Sequence, residues 1–83
     1  MNTDELRSQI NKNLREMMKH EIASTTAENR ICCAFQRYAK ARKMPLDGAK
    51  KRIKDAIHDF RKDVNPREPG EAIHDAIDHI MNG

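Results

Sequence analysis

Apolar residues recur along most of the chain at steps of three and four positions, which is the spacing of an amphipathic helix. The recurrence falls into four stretches and predicts helices over about 4–23, 26–43, 48–64 and 70–81. Alternation of apolar and polar residues, which is typical of strands, does not extend over a useful length. The sequence therefore predicts an all-α protein, a single small domain of four helices, in which the short acidic helix 70–81 could be peripheral.

Polar residues and proline predict where these helices begin and end. Thr3 is a candidate N-cap of the first helix, because a threonine hydroxyl can accept a hydrogen bond from the first turn. Thr25 and Glu28 have the spacing of a capping box, so the second helix is expected to begin beside them. Pro45 disfavours helical backbone at Met44, which places the break between the second and third helices there.

The composition narrows the possible functions. Of 83 residues, 37% are hydrophobic and 35% are charged, and no apolar run approaches the length of a membrane span. The first residues lack the basic start and apolar centre of a signal peptide, so a cytoplasmic protein is expected. Phe35, Tyr38 and Phe60 are too few aromatics to fill a core and also form a base-stacking platform. Catalytic and phosphate-loop motifs are missing from the sequence, so we expect no enzyme and no cofactor.

Charge is distributed very unevenly along the chain. The net charge is +3, but residues 37–54 carry eight basic side chains against Asp47 alone, and residues 63–83 carry five acidic side chains against Arg67 alone. Such an uneven distribution of charge is evidence about the partners that a protein binds and not about its fold. Residues 37–54, the basic segment, are therefore the candidate binding site. Its cations are Arg37, Lys40, Arg42, Lys43, Lys50, Lys51, Arg52 and Lys54.

The basic segment overlaps a sequence, residues 38–57, that resembles the helix-turn-helix motif of DNA-binding regulators. Ala39 stands where two steeply crossing helices need a small side chain, and Met44 matches the apolar residue that the turn inserts into the core. Ala49 and Ile53 match the apolar positions of the second helix of the motif. The resemblance implies a DNA-binding regulator in which the third helix of this chain has the recognition role.

The lysines of the third predicted helix give a separate argument for an anionic partner. Cations near a helix N-terminus oppose its partial positive charge, so stability alone would favour acids there. Phosphates would be attracted both by that N-terminus and by Lys50, Lys51 and Lys54, while the cations of the second helix contact flanking phosphates. Arg52 is the candidate for bidentate hydrogen bonding to guanine. The same cations could instead form a solvated helix face.

A second class of function uses the same cations. The chain could be a small helical interaction module, an adaptor or inhibitor, whose basic surface docks on an acidic protein or blocks a nucleic-acid-binding cleft. A protein interface also needs apolar anchors. The candidates, if exposed, are Met17, Met18, Met44 and Met81. If the partner is a nucleic acid, DNA is favoured over RNA. The long apolar stripe of the first helix is as compatible with a homodimer as with a monomer.

Three smaller features complete the sequence-based expectations. Cys32 and Cys33 are adjacent and poorly placed to bridge each other, so two reduced thiols are expected, one toward the core and one beside it. Two histidine–aspartate pairs in the last helix are four residues apart: His74 with Asp78, and Asp75 with His79. Such pairs favour simple side-chain contacts over half a metal site, so no metal is expected. The acidic C-terminal segment, residues 63–83, could fold back and screen the basic segment.

Overall fold

The chain folds into four α-helices in the computed structural model, which describes residues 1–44 and 48–82. The helices are α1 (Thr3–Met18), α2 (Ser24–Arg42), α3 (Ala49–Asp63) and α4 (Pro69–Asn82). α1 packs against α2 and α4, and α3 also packs against α2 and α4, so the helices form a closed ring in chain order. The predicted all-α class with four helices is confirmed. In the described ranges, no helix is both long and apolar enough to cross a membrane.

The core is built from the apolar stripes that the sequence predicts. Leu6, Ile10 and Leu14 of α1 are fully buried within one copy of the chain, so the stripe of α1 does not itself require a second copy. α4 adds five buried apolar side chains to the same core. All three aromatic side chains are buried as well, which leaves no exposed ring for base stacking: Phe35, Tyr38 and Phe60.

α1 ends at Met18, earlier than the predicted position 23. The chain leaves the helix in a Schellman motif, in which one residue in the left-handed conformation allows two backbone hydrogen bonds to the last turn. His20 is that residue, with φ 60°. Its N–H donates to the carbonyl of Met17 at 3.2 Å, and the next N–H donates to the carbonyl of Glu16 at 2.9 Å. The sequence gives no signal for this early end, because glycine is the usual residue at the left-handed position and histidine occupies it here.

α2 ends in the same kind of turn, and this turn begins the basic connection to α3. Lys43 has φ 55°, its N–H donates to the carbonyl of Lys40, and the N–H of Met44 donates to the carbonyl of Ala39 at 2.9 Å. These bonds fix the backbone of Met44, but its side chain is 42% exposed. The expectation that Met44 is inserted into the core is therefore wrong.

The beginnings of the first two helices also differ from the prediction. The N-cap of α1 is Asn2 and not Thr3, since the Asn2 Oδ1 accepts a hydrogen bond from the backbone N–H three residues on at 2.8 Å. α2 begins at Ser24 with no side-chain cap, so the capping box predicted at 25–28 is wrong. α2 thus starts before the predicted position 26. The Ser24 hydroxyl instead accepts from Arg61 of α3 at 3.0 Å.

Replacement of Lys43 by glycine is expected to raise the free energy of unfolding by about 0.5–1 kcal/mol, because glycine adopts positive φ without the steric cost of a Cβ atom. Urea denaturation measures the change. Lys40→Gly is the matched control inside the same helix and should lower the free energy by about 1 kcal/mol. An equal loss in both variants would contradict the left-handed backbone at Lys43.

Candidate nucleic-acid interface

The fold gathers the basic segment at the place where α2 stops and α3 starts. α2 ends at Arg42 and α3 begins at Ala49, so cations from the two helices flank one short connection. Seven of the eight cations are exposed, and the eighth, Arg52, is half-buried. The middle of the connection, 45–47, which includes the acid Asp47 and the proline at the predicted break, lies outside the described residues.

Arg42 is held in place by residues of two helices. Its guanidinium carbon lies 4.5 Å from the centroid of the Tyr38 ring, a cation–π contact. Its Nη2 also donates a hydrogen bond to the Thr3 hydroxyl at 3.1 Å, and that hydroxyl lies 3.3 Å from the Tyr38 hydroxyl. Arg42 therefore joins the end of α2 to the beginning of α1. This reduces the freedom of its side chain to reach a phosphate.

The side chain of Arg52 lies over an aromatic ring of the core. Its guanidinium carbon lies 5.8 Å from the centroid of the Phe35 ring. Its Nε is buried and has no hydrogen-bond partner in the part of the chain that the structure describes. Only the two terminal nitrogens of Arg52 are therefore candidates for the bidentate bond to guanine that the sequence predicts.

Two grooves run along the sides of α2 and separate the predicted cations. The α2–α3 groove, about 280 Å³, is lined by Lys50. The α1–α2 groove, about 470 Å³, is lined by Arg37. Asn29 and Cys33 border both grooves, so they form the crest of α2 between them. Arg37 and Lys50 thus lie on opposite sides of this crest, and the basic segment is not one flat surface.

The α1–α2 groove also brings in residues outside the predicted site. Lys12, Asn13 and Arg30 line it together with Arg37. One of these residues, Asn13, could have been identified from the sequence, because it is an amide inside the apolar stripe of α1, three positions after Ile10. Lys12 and Arg30 carry no such signal, because their place depends on how α1 packs against α2.

The cysteines are placed as expected. Both are free thiols; Cys32 is half-buried against the core, and Cys33 is exposed. Burial raises the pKa of the Cys32 thiol, the carboxylate of Glu28 raises it further, and Lys50 acts in the opposite direction. Since the thiolate is the reactive form, Cys32 is a weak nucleophile.

Several arginines of the chain form ion pairs, and these lie outside the basic segment. Arg7 pairs with Asp78 at 3.3 Å, and Arg30 pairs with Glu16 at 2.9 Å. In the ranges 1–44 and 48–82, no ion pair includes any of the eight cations of the basic segment. Their charges are therefore not neutralised by the described acidic side chains.

The carboxylates of the acidic C-terminal segment form ion pairs with arginines outside the basic segment. Arg67 pairs with Asp75 at 2.6 Å and, more distantly, with Asp63 and Glu71, which flank it four residues away on either side. The hydrogen bond to Asp75 and the surrounding negative charge raise the pKa of Arg67. These contacts stabilise the connection between α3 and α4 and leave the basic segment uncovered by described ion pairs.

The histidine–aspartate pairs of α4 behave differently from one another. His74 Nε2 lies 3.2 Å from an Asp78 carboxylate oxygen, which is the side-chain contact predicted for this spacing. Asp75 instead contacts Arg67. Across the described residues, no three histidine, cysteine, aspartate or glutamate side chains are grouped so that they could hold a metal ion.

The arrangement as a whole offers exposed, unneutralised cations on either side of a helix N-terminus, a combination that attracts polyanions. α3 has no acidic residue in its first turn, where Lys50 and Lys51 lie. Comparisons with protein-family models, with curated proteins and with solved structures find no match to the chain.

Proposed function

We propose that the chain is a small non-enzymatic nucleic-acid-binding protein, a DNA-binding regulator that uses the basic segment, residues 37–54. The observation that carries the proposal is that half of the 16 lysines and arginines of the chain lie in residues 37–54, and none of these eight forms an ion pair with a described acidic residue. Cations clustered without partners repel one another, and an array of phosphates would relieve that repulsion.

The beginning of α3 supports the proposal independently of the ion pairs. Lys50 and Lys51 lie in the first turn, where each cation costs typically about 0.3–1 kcal/mol against the helix dipole. A phosphate at this end would interact favourably with the dipole and with both lysines. The cost is therefore offset in a complex with a polyanion but not in the free protein.

The resemblance to helix-turn-helix regulators suggests how such a complex would be arranged. In that arrangement α3 enters the major groove and the end of α2 contacts the backbone of the DNA. Of the four residues that carry the resemblance, Ala39, Ala49 and Ile53 are buried, as residues at a contact between two helices must be, whereas Met44 is exposed. With every aromatic ring in the core, double-stranded DNA suits this surface better than a single strand that needs stacking.

A protein partner is the alternative outcome. Of the methionines considered as anchors, Met17 is buried, and Met18 and Met81 pack against the core. Within the described residues, the exposed large hydrophobic side chains are Met1 and Met44. A surface with so few apolar anchors favours a charged polymer over an ordinary protein interface.

A fluorescence anisotropy titration with random-sequence duplex of about 20 base pairs tests the proposal at two salt concentrations. If about five cations contact phosphates, affinity should fall several hundredfold between about 50 and 200 mM salt. A single strand of the same length should bind more weakly. Failure to bind the duplex at the lower salt concentration would overturn the proposal, and binding that hardly responds to salt would contradict phosphate contacts.

A further inference from the structure

The α1–α2 groove has a polar floor within an otherwise apolar helix packing. Asn13 is 4% exposed. The other buried side chains among the described residues are hydrophobic. The neighbours of Asn13 on the stripe of α1, Ile10 and Leu14, are fully buried. A buried amide costs free energy unless its hydrogen-bonding groups find partners. Asn13 is therefore the residue of this groove that most needs an explanation.

The hydrogen bonds of Asn13 are only partly used. Its Nδ2 donates to the carbonyl of Gln9 at 2.8 Å. The described residues form no other hydrogen bond with this side chain, so one N–H of the amide and its Oδ1 have no described partner, and Asn13 lines the groove. Ala34, which lines the groove from α2, has only a methyl group as its side chain. The floor thus offers one donor and one acceptor.

The rim of the groove carries charge that is not neutralised. Lys12 and Arg37 are exposed and form no ion pair within the described residues. Arg30 also lines the groove, but it is paired with Glu16 at 2.9 Å. Two free positive charges match a phosphomonoester, which carries a charge close to −2 at neutral pH.

We infer that the α1–α2 groove binds a small phosphomonoester of the nucleoside monophosphate class. Lys12 and Arg37 bind the phosphate, and the Asn13 amide binds a polar edge of the organic part, as asparagine does with adenine. The volume, about 470 Å³, lies in the range of small-molecule sites and far exceeds a phosphate ion. This site is separate from the lysines of α3 and goes beyond the proposed function, with which it shares only Arg37.

An NMR titration of the isotopically labelled protein with adenosine 5′-monophosphate tests this inference. The Asn13 side-chain amide and the backbone amides of Lys12, Cys33 and Arg37 should shift together, with a Kd of about 1 mM or tighter. Inorganic phosphate and adenosine should each bind at least about tenfold more weakly, because each supplies half of the contacts. No shift in these amides, or equal binding of inorganic phosphate, would overturn the inference.

Two variants separate binding from structure. Asn13→Leu keeps the approximate volume and removes the amide, and Lys12→Gln removes an exposed charge; each should weaken binding of adenosine 5′-monophosphate about tenfold or more. Lys19→Gln, directly after the end of the same helix and outside this groove, should leave the affinity unchanged. If Asn13 only fixes helix packing, Asn13→Leu alters stability and not affinity, which contradicts the inference. The exposed Lys12 keeps the test decisive even if the leucine variant folds poorly.

The same variants distinguish this inference from the proposed function. Lys12→Gln should change the affinity for duplex DNA by less than about threefold, because Lys12 lies outside the basic segment that contacts the phosphates. Lys50→Glu, Lys51→Glu and Lys54→Glu together should lower the affinity for duplex DNA by about 100-fold or more and leave the binding of adenosine 5′-monophosphate in place. If the mononucleotide fails to bind while the duplex still binds, the groove is not this site and the proposed function stands.

Discussion

Exchange of Lys50, Lys51 and Lys54 for glutamate is expected to lower the affinity for duplex DNA by about 100-fold or more at low salt. The substitutions remove three candidate phosphate contacts and change the net charge of residues 37–54 from +7 to +1. These lysines are chosen because all three are exposed, whereas Arg42 and Arg52 contact the Tyr38 and Phe35 rings. Anisotropy titration at about 50 mM salt measures the loss.

The same triple variant is expected to be slightly more stable than the natural chain. Glutamates at 50 and 51 replace cations in the first turn of α3, where each acid gains about 0.3–1 kcal/mol from the helix dipole. The new glutamate at 51 lies four residues before Asp55, which takes back a few tenths of a kcal/mol, about 0.2–0.5. A rise in the unfolding midpoint together with lost binding would show that affinity is lost without loss of structure.

A control variant with the same change in net charge shows whether the loss of affinity depends on the position of the cations or only on the net charge of the protein. Arg15, Lys19 and Lys62 are exposed and lie outside the basic segment, so their exchange for glutamate should lower duplex affinity by less than about fivefold. This control should also be less stable, since Arg15 and Lys62 lie in last turns, where cations are favourable. Equal losses of affinity in the two variants would mean that net charge alone governs binding.

Helix number and core positions follow from sequence because they depend on local periodicity. The stripe Leu6, Ile10 and Leu14 is spaced so that its members share one helix face in any environment, and all three are fully buried. The helix ends are different, because His20 and Lys43 adopt positive φ without being glycine. Such turns are stabilised by backbone bonds to the preceding turn, and side-chain identity gives little indication of them.

The candidate site shows the same division between local and long-range information. The exposure of the lysines in α3 follows from their place outside the apolar stripe, which is a local property. The immobilisation of Arg42 depends on Thr3, 39 positions earlier in the chain. The position of Arg52 over Phe35 likewise depends on how α2 and α3 pack. Periodicity therefore identifies the cations, but only tertiary packing tells which of them are free to reach a ligand.

Removal of residues 66–83 is expected to unfold the protein, because α4 is part of the core. Ile73, Ile77 and Ile80 are at most 6% exposed, and truncation of one such side chain to alanine typically costs about 2–5 kcal/mol. Loss of all three, with the alanines of the same face, exceeds the total stability of about 5–15 kcal/mol of an ordinary domain. Far-ultraviolet circular dichroism should show a large loss of helix, well beyond the share of α4. A folded fragment would contradict this.

The hypothesis that the acidic segment screens the basic segment therefore needs substitutions and not deletion. Glu71→Gln, Asp75→Asn and Asp78→Asn together break exposed ion pairs with Arg7 and Arg67, which are worth about 1 kcal/mol or less each, so the fold should persist.

Because these acids pair outside the basic segment, only the net charge changes, from +3 to +6. Duplex affinity should rise less than about fivefold at about 50 mM salt and hardly at all at about 200 mM. Glu16→Gln, Glu21→Gln and Glu68→Gln make the same change of charge outside α4 and away from the beginning of α1 that Arg42 contacts, and should raise affinity equally. A rise above about tenfold that is specific to the α4 variant and persists at the higher salt concentration would instead establish screening by the acidic segment.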